Sequence, residues 1–223
     1  ISDCLSDLVV SNEVIGELGT ALMSGRPTFL YGPTGNGKTS IAERLHRLFT
    51  DFIYIPYAVD VEGYIIAIYD PAVHERSPEW QEDSLDARWI HAARPTVRIG
   101  GELQADMLEP AVDIVTRFYR APLQMRANDG ILIIDDFGRQ KIPSRDLLNR
   151  WILPLDRGVD QLSLSSGVSF SVPFEVIVVI ATNVNPNDLA EAAFVKSVEL
   201  DPGLARTWEF LANGLPPYMK ANI

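Results

Sequence analysis

An α/β fold built on a parallel sheet is what this sequence predicts, and three stretches predict it. Thr28-Phe29-Leu30-Tyr31 is a short apolar strand that runs directly into a glycine-rich turn, and residues 41–48 follow with helical spacing. Ile131-Leu132-Ile133-Ile134 and Val176-Ile177-Val178-Val179-Ile180-Ala181 are apolar at every position. Strands of that kind are covered on both faces, as the central strands of parallel sheets are.

The turn between the first strand and its helix is Gly32-Pro33-Thr34-Gly35-Asn36-Gly37-Lys38-Thr39, which fits G-x-x-x-x-G-K-S/T at every defined position. With a strand before it and a helix after it, this is the setting of a P-loop, where glycines let backbone N–H groups approach phosphate oxygens. The ligand expected is ATP with Mg²⁺, contacted by Gly32, Pro33, Thr34, Gly35, Asn36, Gly37, Lys38, Thr39 and Ser40. Lys38 is expected to reach the β- and γ-phosphates and Thr39 to place its hydroxyl on Mg²⁺, with the positive end of the helix adding attraction. A glycine-rich turn with a solvated lysine is the plain alternative, and the strand-and-helix setting argues against it.

The two apolar runs end in polar groups where a nucleotide crevice opens. Ile131–Ile134 closes with Asp135 and Asp136; Asp135 is placed to hold Mg²⁺ through water, and Asp136 stands where a water-activating acid stands. The second run closes with Thr182 and Asn183. Asn183 is a candidate for orienting the attacking water or touching the γ-phosphate. Asn183-Val184-Asn185-Pro186 also reads as a turn followed by a capped helix.

Composition narrows the class. A chain of 223 residues with 47% apolar and 22% charged residues is long enough to bury a sizeable core. No run of apolar residues is long enough for membrane insertion. Ile1-Ser2-Asp3-Cys4 has neither the basic stretch nor the apolar run of an export signal. The lone Cys4 agrees with a reducing compartment, so a cytoplasmic location is expected. The start on Ile1 suggests a trimmed or partial chain. A net charge of −11 repels nucleic acid, which makes a protein the expected partner.

Taken in order, residues 5–24 predict two short helices with Ser11-Asn12 as a cap between them. Residues 52–57 and 63–69 predict a β-hairpin turning at 60–63. Residues 70–95 form a polar excursion in which His74 and His91 match no metal spacing. Thr96-Val97-Arg98-Ile99 is a short apolar run, and residues 103–119 predict a helix kinked near Pro110. A helix from Pro143-Ser144 to Pro154 or Asp156 follows, then a hairpin over 162–172 turning at Ser166-Gly167.

This order of P-loop, carboxylate-ended strand, hairpin and Asn-ended strand resembles the AAA+ ATPases, the bacterial MoxR-like type in particular. The resemblance covers residues 26 to about 194. It implies a three-layer αβα P-loop NTPase fold around the parallel central sheet, assembly into a ring, often a hexamer, and ATP-driven, chaperone-like remodelling of a protein partner. It carries Lys38 and Thr39 over as Walker A, Asp135 and Asp136 as Walker B, and Asn183 as sensor 1; Lys38, Asp136 and Asn183 are then the catalytic set. The division expected is an N-terminal helical segment (1–25), a nucleotide-binding domain (26–199) with an insert at about 61–128, and a helical tail (200–223).

Three departures bear on activity. Asp136 stands where the family has Glu, and its carboxylate is one methylene shorter. Ala193-Phe194-Val195-Lys196-Ser197 carries Lys196 and Ser197 where related chains carry arginines that reach a neighbour's phosphate, and lysine lacks the planar fork. The residues after Asn183 are too few for a C-terminal helical lid. Lys196, Arg145 and Arg150 are the candidate substitutes for the missing arginine finger. Residues 196–202 also resemble a junction of two tetratricopeptide helices, and equally a plain helix start at Asp201-Pro202. The rival functional readings are a nucleotide switch that hydrolyses almost nothing and, less favoured, a small-molecule kinase.

Overall fold

The computed structural model describes residues 1–78 and 86–184 and the backbone of Lys220–Asn222. After turns at residues 2–7, α1 spans Asn12–Met23, with the Ser11 hydroxyl capping its first turn by accepting from the Val14 N–H. The cap is where the sequence predicts it; the first of the two expected helices is a run of turns. Strand β1 (Thr28–Tyr31) leads through the glycine-rich loop into α2 (Lys38–Arg44), which tightens into a 3₁₀ turn at Leu45–Leu48.

The next segment departs from the expected hairpin. Strand β2 (Phe52–Pro56) is followed by β3 (Ala58–Val61) and β4 (Tyr64–Ala67), which pair with each other around Glu62-Gly63, both at positive φ. The partner of β2 is instead β5 (Trp89–Ala93), antiparallel to it from inside the stretch read as a polar excursion. The turn was located correctly; a two-residue loop with both residues at φ > 0 closes only short, adjacent strands. Strand β6 (Thr96–Ile99) belongs to the central sheet, so the expected insert at 61–128 is interrupted by a core strand. Four residues carry too little periodicity to announce it.

No long helix forms over 103–119. Ala105–Leu108 is a 3₁₀ turn, and β7 (Ala111–Val112) and β8 (Tyr119–Arg120) form a small antiparallel ladder. Leu103, Leu108 and Tyr119 are buried while Val112, Val115 and Phe118 are exposed, so only part of the apolar pattern reaches the core and its period is not helical. A short helix, α3 (Leu123–Arg126), leads to β9 (Ile131–Phe137). Then come α4 (Ser144–Arg157), ended by Gly158 in the left-handed region, the hairpin β10 (Val159–Ser163) and β11 (Ser169–Pro173), and β12 (Ile177–Thr182). Within the expected helical tail, Lys220–Asn222 is a strand, β13, beside β1. The segment 193–197 and the possible tetratricopeptide junction lie outside the described residues.

The central sheet runs β13-β1-β12-β9-β6, with every neighbouring pair parallel. Alternation along β9 shows why its apolar run is unbroken. Ile131 and Ile133 pack with Leu30, Val179, Leu18 of α1 and Ile41 of α2 on one face. Leu132 and Ile134 pack with Val178, Ile180 and Leu147 and Trp151 of α4 on the other. Helices therefore cover both faces, giving three layers. Gly130 opens β9 under tight constraint, since a Cβ there would sit 2.0 Å from the Pro95 carbonyl oxygen. The smaller strands build a third core from Ile55, Ile66, Ile90, Tyr119 and Leu164, joining the insert to the β10–β11 hairpin.

The N-terminal segment packs into the helix layer beside α2. Cys4 and Leu5 are buried there, and Asp7 accepts from both Arg44 and Arg47. Burial pushes the Cys4 thiol above its ordinary range, which suits packing rather than chemistry. His74 is also a core group: its Nδ1 accepts from the Asp70 N–H and its Nε2 lies 2.9 Å from the Arg126 carbonyl oxygen. Among the described residues no cluster of three or more His, Cys, Asp or Glu side chains could hold a metal ion, and no helix is long and apolar enough to cross a membrane.

Candidate functional site

The sheet delivers its polar residues to one end. β1, β12 and β9 are parallel neighbours, so the loop after Tyr31, the amide at Asn183 and the carboxylates of Asp135 and Asp136 emerge side by side at the carboxyl edge. Between them lies a cleft of about 280 Å³ lined by Thr34, Gly35, Gly37, Lys38, Thr39, Ser40, Asp135, Asp136, Thr182 and Asn183. The sequence-predicted residues are thus brought together, apart from Gly32, Pro33 and Asn36, which do not line the cleft.

The loop is shaped for a ligand that needs bare backbone. Gly37 caps α2 at φ +76°, a conformation that an L side chain rarely adopts, and a Cβ there would meet nothing within 4 Å. Its glycine answers to the backbone, and the space above it is open. Lys38 is almost buried, and its ammonium folds back over the loop, donating to the carbonyls of Gly32 at 3.0 Å and Pro33 at 2.8 Å. A buried ammonium needs such partners.

At the end of β9 the chain carries one extra residue. Ile134 pairs with Ile180, yet Phe137 pairs with Thr182, so three steps on β9 oppose two on β12. Asp136 sits in this bulge at φ +50° with its side chain exposed. Bulges re-aim side chains, and this one separates the two carboxylates. Asp135 turns inward: its Oδ1 accepts from the Thr39 hydroxyl at 3.0 Å and from the Asp136 N–H at 2.9 Å. Two further groups pin the irregular stretch. Gln140 donates to the carbonyls of Asp135 and Asp136 while accepting from the Gly138 N–H, and the Thr182 hydroxyl donates to the Phe137 carbonyl at 2.9 Å.

A hydroxyl and a carboxylate at contact distance are hard oxygen donors, few in number, beside open space for phosphates. That set suits Mg²⁺, which keeps several waters and takes only one or two protein ligands when it binds with a polyphosphate. The residues present fit the pair of ligands expected.

Sequence reasoning missed Arg98 and Glu43. From β6, the strand next to β9, the Arg98 guanidinium donates to Asp135 Oδ2 at 3.2 Å and to Glu43 of α2. Its only signal in the sequence was a charged residue inside a four-residue apolar run. The same geometry removes one candidate finger. Arg150 is bound to Glu109, to both oxygens of Asp160 and to the Gln161 carbonyl. Asp160 is fully buried and also accepts from Gln124 Nε2; Arg150 is its counter-ion and is not available to reach a neighbouring chain. Arg145 lies on the first turn of α4, more exposed, 3.7 Å from Asp146. Lys196 lies outside the described residues.

No family model and no curated protein matches this sequence. Solved structures do match. One is a cryo-EM-based model of the complex between the BchI and BchD subunits of magnesium chelatase, aligned over 95% of this chain and 70% of that one, with a TM-score of 0.50 and 18% identity. Another is NtrX from Brucella abortus, with a TM-score of 0.48 and 14% identity over 97% of this chain and 46% of the other. At such identity the magnesium chelatase likeness speaks to backbone alone. Joined to the parallel sheet and its two helical layers, it gives the fold class: a three-layer αβα P-loop fold.

Proposed function

We propose that this chain binds ATP·Mg²⁺ in the cleft at the carboxyl edge of the sheet and couples slow hydrolysis to remodelling of a protein partner. The observation that supports it best is the 3.0 Å contact between Thr39 and Asp135. It joins two residues 96 positions apart, at a loop whose sequence carries a phosphate-binding pattern. In this reading Lys38 exchanges the carbonyls of Gly32 and Pro33 for the β- and γ-phosphate oxygens. Thr39 and Asp135 would hold the metal, which would neutralise charge on the phosphate oxygens. Asn183 orients a water for attack on the γ-phosphorus and Asp136 accepts its proton, while the bond to the β–γ bridging oxygen breaks and ADP leaves with that electron pair. The magnesium chelatase structure is of two subunits in complex, which supports assembly with other chains; a ring is the form we propose.

A second reading, a nucleotide switch with little turnover, is favoured by one feature. Asp136 is short and sits in a bulge, and a misplacement of about 1 Å can cost on the order of 10² in rate. An absent arginine finger would cost about 10³ to 10⁵ more. Measuring ADP formation across protein concentration separates the readings. A rate per chain that climbs with concentration supports an assembled ATPase; binding without turnover at every concentration supports the switch.

A further inference from the structure

The two oxygens of Asp135 face different groups. Oδ1 is committed to the Thr39 hydroxyl and the Asp136 N–H, both internal to the site. Oδ2 meets Arg98 at 3.2 Å, longer than the usual 2.7–2.9 Å of a charge-assisted contact. The Asp135 side chain is 13% exposed and that of Arg98 48%. The guanidinium is therefore the partner open to solvent. Glu43 on α2 accepts from the other amino group of the guanidinium. A carboxylate so nearly buried requires a cation beside it, and Arg98 lies against it.

We propose that Arg98 is a tethered counter-cation that sets the Mg²⁺ requirement of this site. It neutralises Asp135 when no divalent ion is bound, competes with Mg²⁺ for that carboxylate, and lends its charge to the polyphosphate. The inference rests on the nucleotide-binding reading above. Two effects of opposite sign follow. Removing the guanidinium leaves Asp135 free for Mg²⁺, so less Mg²⁺ is needed. It also removes a positive charge held against Asp135, beside the cleft, so binding of the metal-free nucleotide weakens. A residue that only supported the fold would move both quantities in the unfavourable direction.

The test is titration of ATP into wild-type protein and into Arg98→Gln, first in EDTA and then at stepped Mg²⁺ concentrations. For a half-exposed pair each effect is expected at about three- to tenfold, shrinking in high salt. Arg98→Gln should lower the Mg²⁺ concentration for half-maximal enhancement while weakening binding in EDTA; Arg98→Lys should restore most of the latter. Glu43→Gln keeps the guanidinium and frees it from its second acid, so it should raise the Mg²⁺ requirement, and it provides the decision should Arg98→Gln fail to fold. Shifts of the same sign in both quantities, or no shift in a wild-type protein that binds ATP, overturn the role of Arg98 alone. Absence of ATP binding by wild-type protein in both conditions overturns the nucleotide reading with it.

Discussion

Two arginine–carboxylate pairs in this molecule look alike on paper and are built for different ends. Arg150–Asp160 joins α4 to β10; its carboxylate has no exposure, a 2.6 Å contact and a second donor in Gln124. Arg98–Asp135 joins β6 to β9 at the open edge of the sheet; its contact is longer and its arginine half exposed. The first pair has its partners inside the fold, and its carboxylate is sealed from solvent. The second shares its carboxylate with a hydroxyl at the mouth of a cleft, where a metal ion could enter. Closure distinguishes an ion pair that fixes the structure from one that can exchange partners.

The comparison breaks most visibly at the closed pair. Arg150→Ala leaves a buried carboxylate uncompensated, and a loss of about 3–5 kcal/mol in unfolding free energy is expected. Denaturant titration measures it, and Arg150→Met combined with Asp160→Leu should recover much of the loss. At the open pair, Asp135→Asn should leave the denaturant midpoint nearly unchanged and weaken Mg²⁺-dependent ATP binding about 10- to 100-fold; calorimetry with and without Mg²⁺ reads this. Asn183→Ala should spare binding and lower turnover only, read as a fall in kcat at unchanged nucleotide affinity.

The smallest effect concerns a group outside both pairs. Burial holds His74 below its ordinary pKa of 6.5, outweighing the Arg126 carbonyl and the Asp70 carboxylate, which favour the charged ring. A depressed folded pKa means that the neutral ring contributes stability above about pH 6.5, and that this is lost as pH falls toward the folded value. Tm should therefore decline modestly between pH 7.5 and 5.5, and the decline should be smaller in His74→Gln.

Legibility in the sequence followed the same line between closed and open structure. The central strands were readable because burial on both faces leaves an uninterrupted apolar run, as in Ile131–Ile134. The P-loop was readable because its backbone needs glycine at Gly37. The insert was not: β6 has four residues, β7 and β8 two each, and the helix expected over 103–119 dissolved into a 3₁₀ turn and a ladder. Elements that short are fixed by tertiary contacts, through Val97, Ile99, Leu103 and Leu108 in one core and Tyr119 in another, and leave no period to read. The bulge at Asp136 and the reach of Arg98 were equally invisible, since register and cross-strand partners are not written in local spacing.

The account stands on the claim that the cleft holds a nucleoside triphosphate through Lys38. Calorimetric titration of ATP·Mg²⁺ into wild-type protein and Lys38→Ala, with the fold of each verified by circular dichroism, tests that claim most directly. The account predicts saturable binding by wild-type protein and no detectable binding by a folded variant, because the lysine supplies charge to phosphate and little to the core. Equal affinity in both proteins would contradict it.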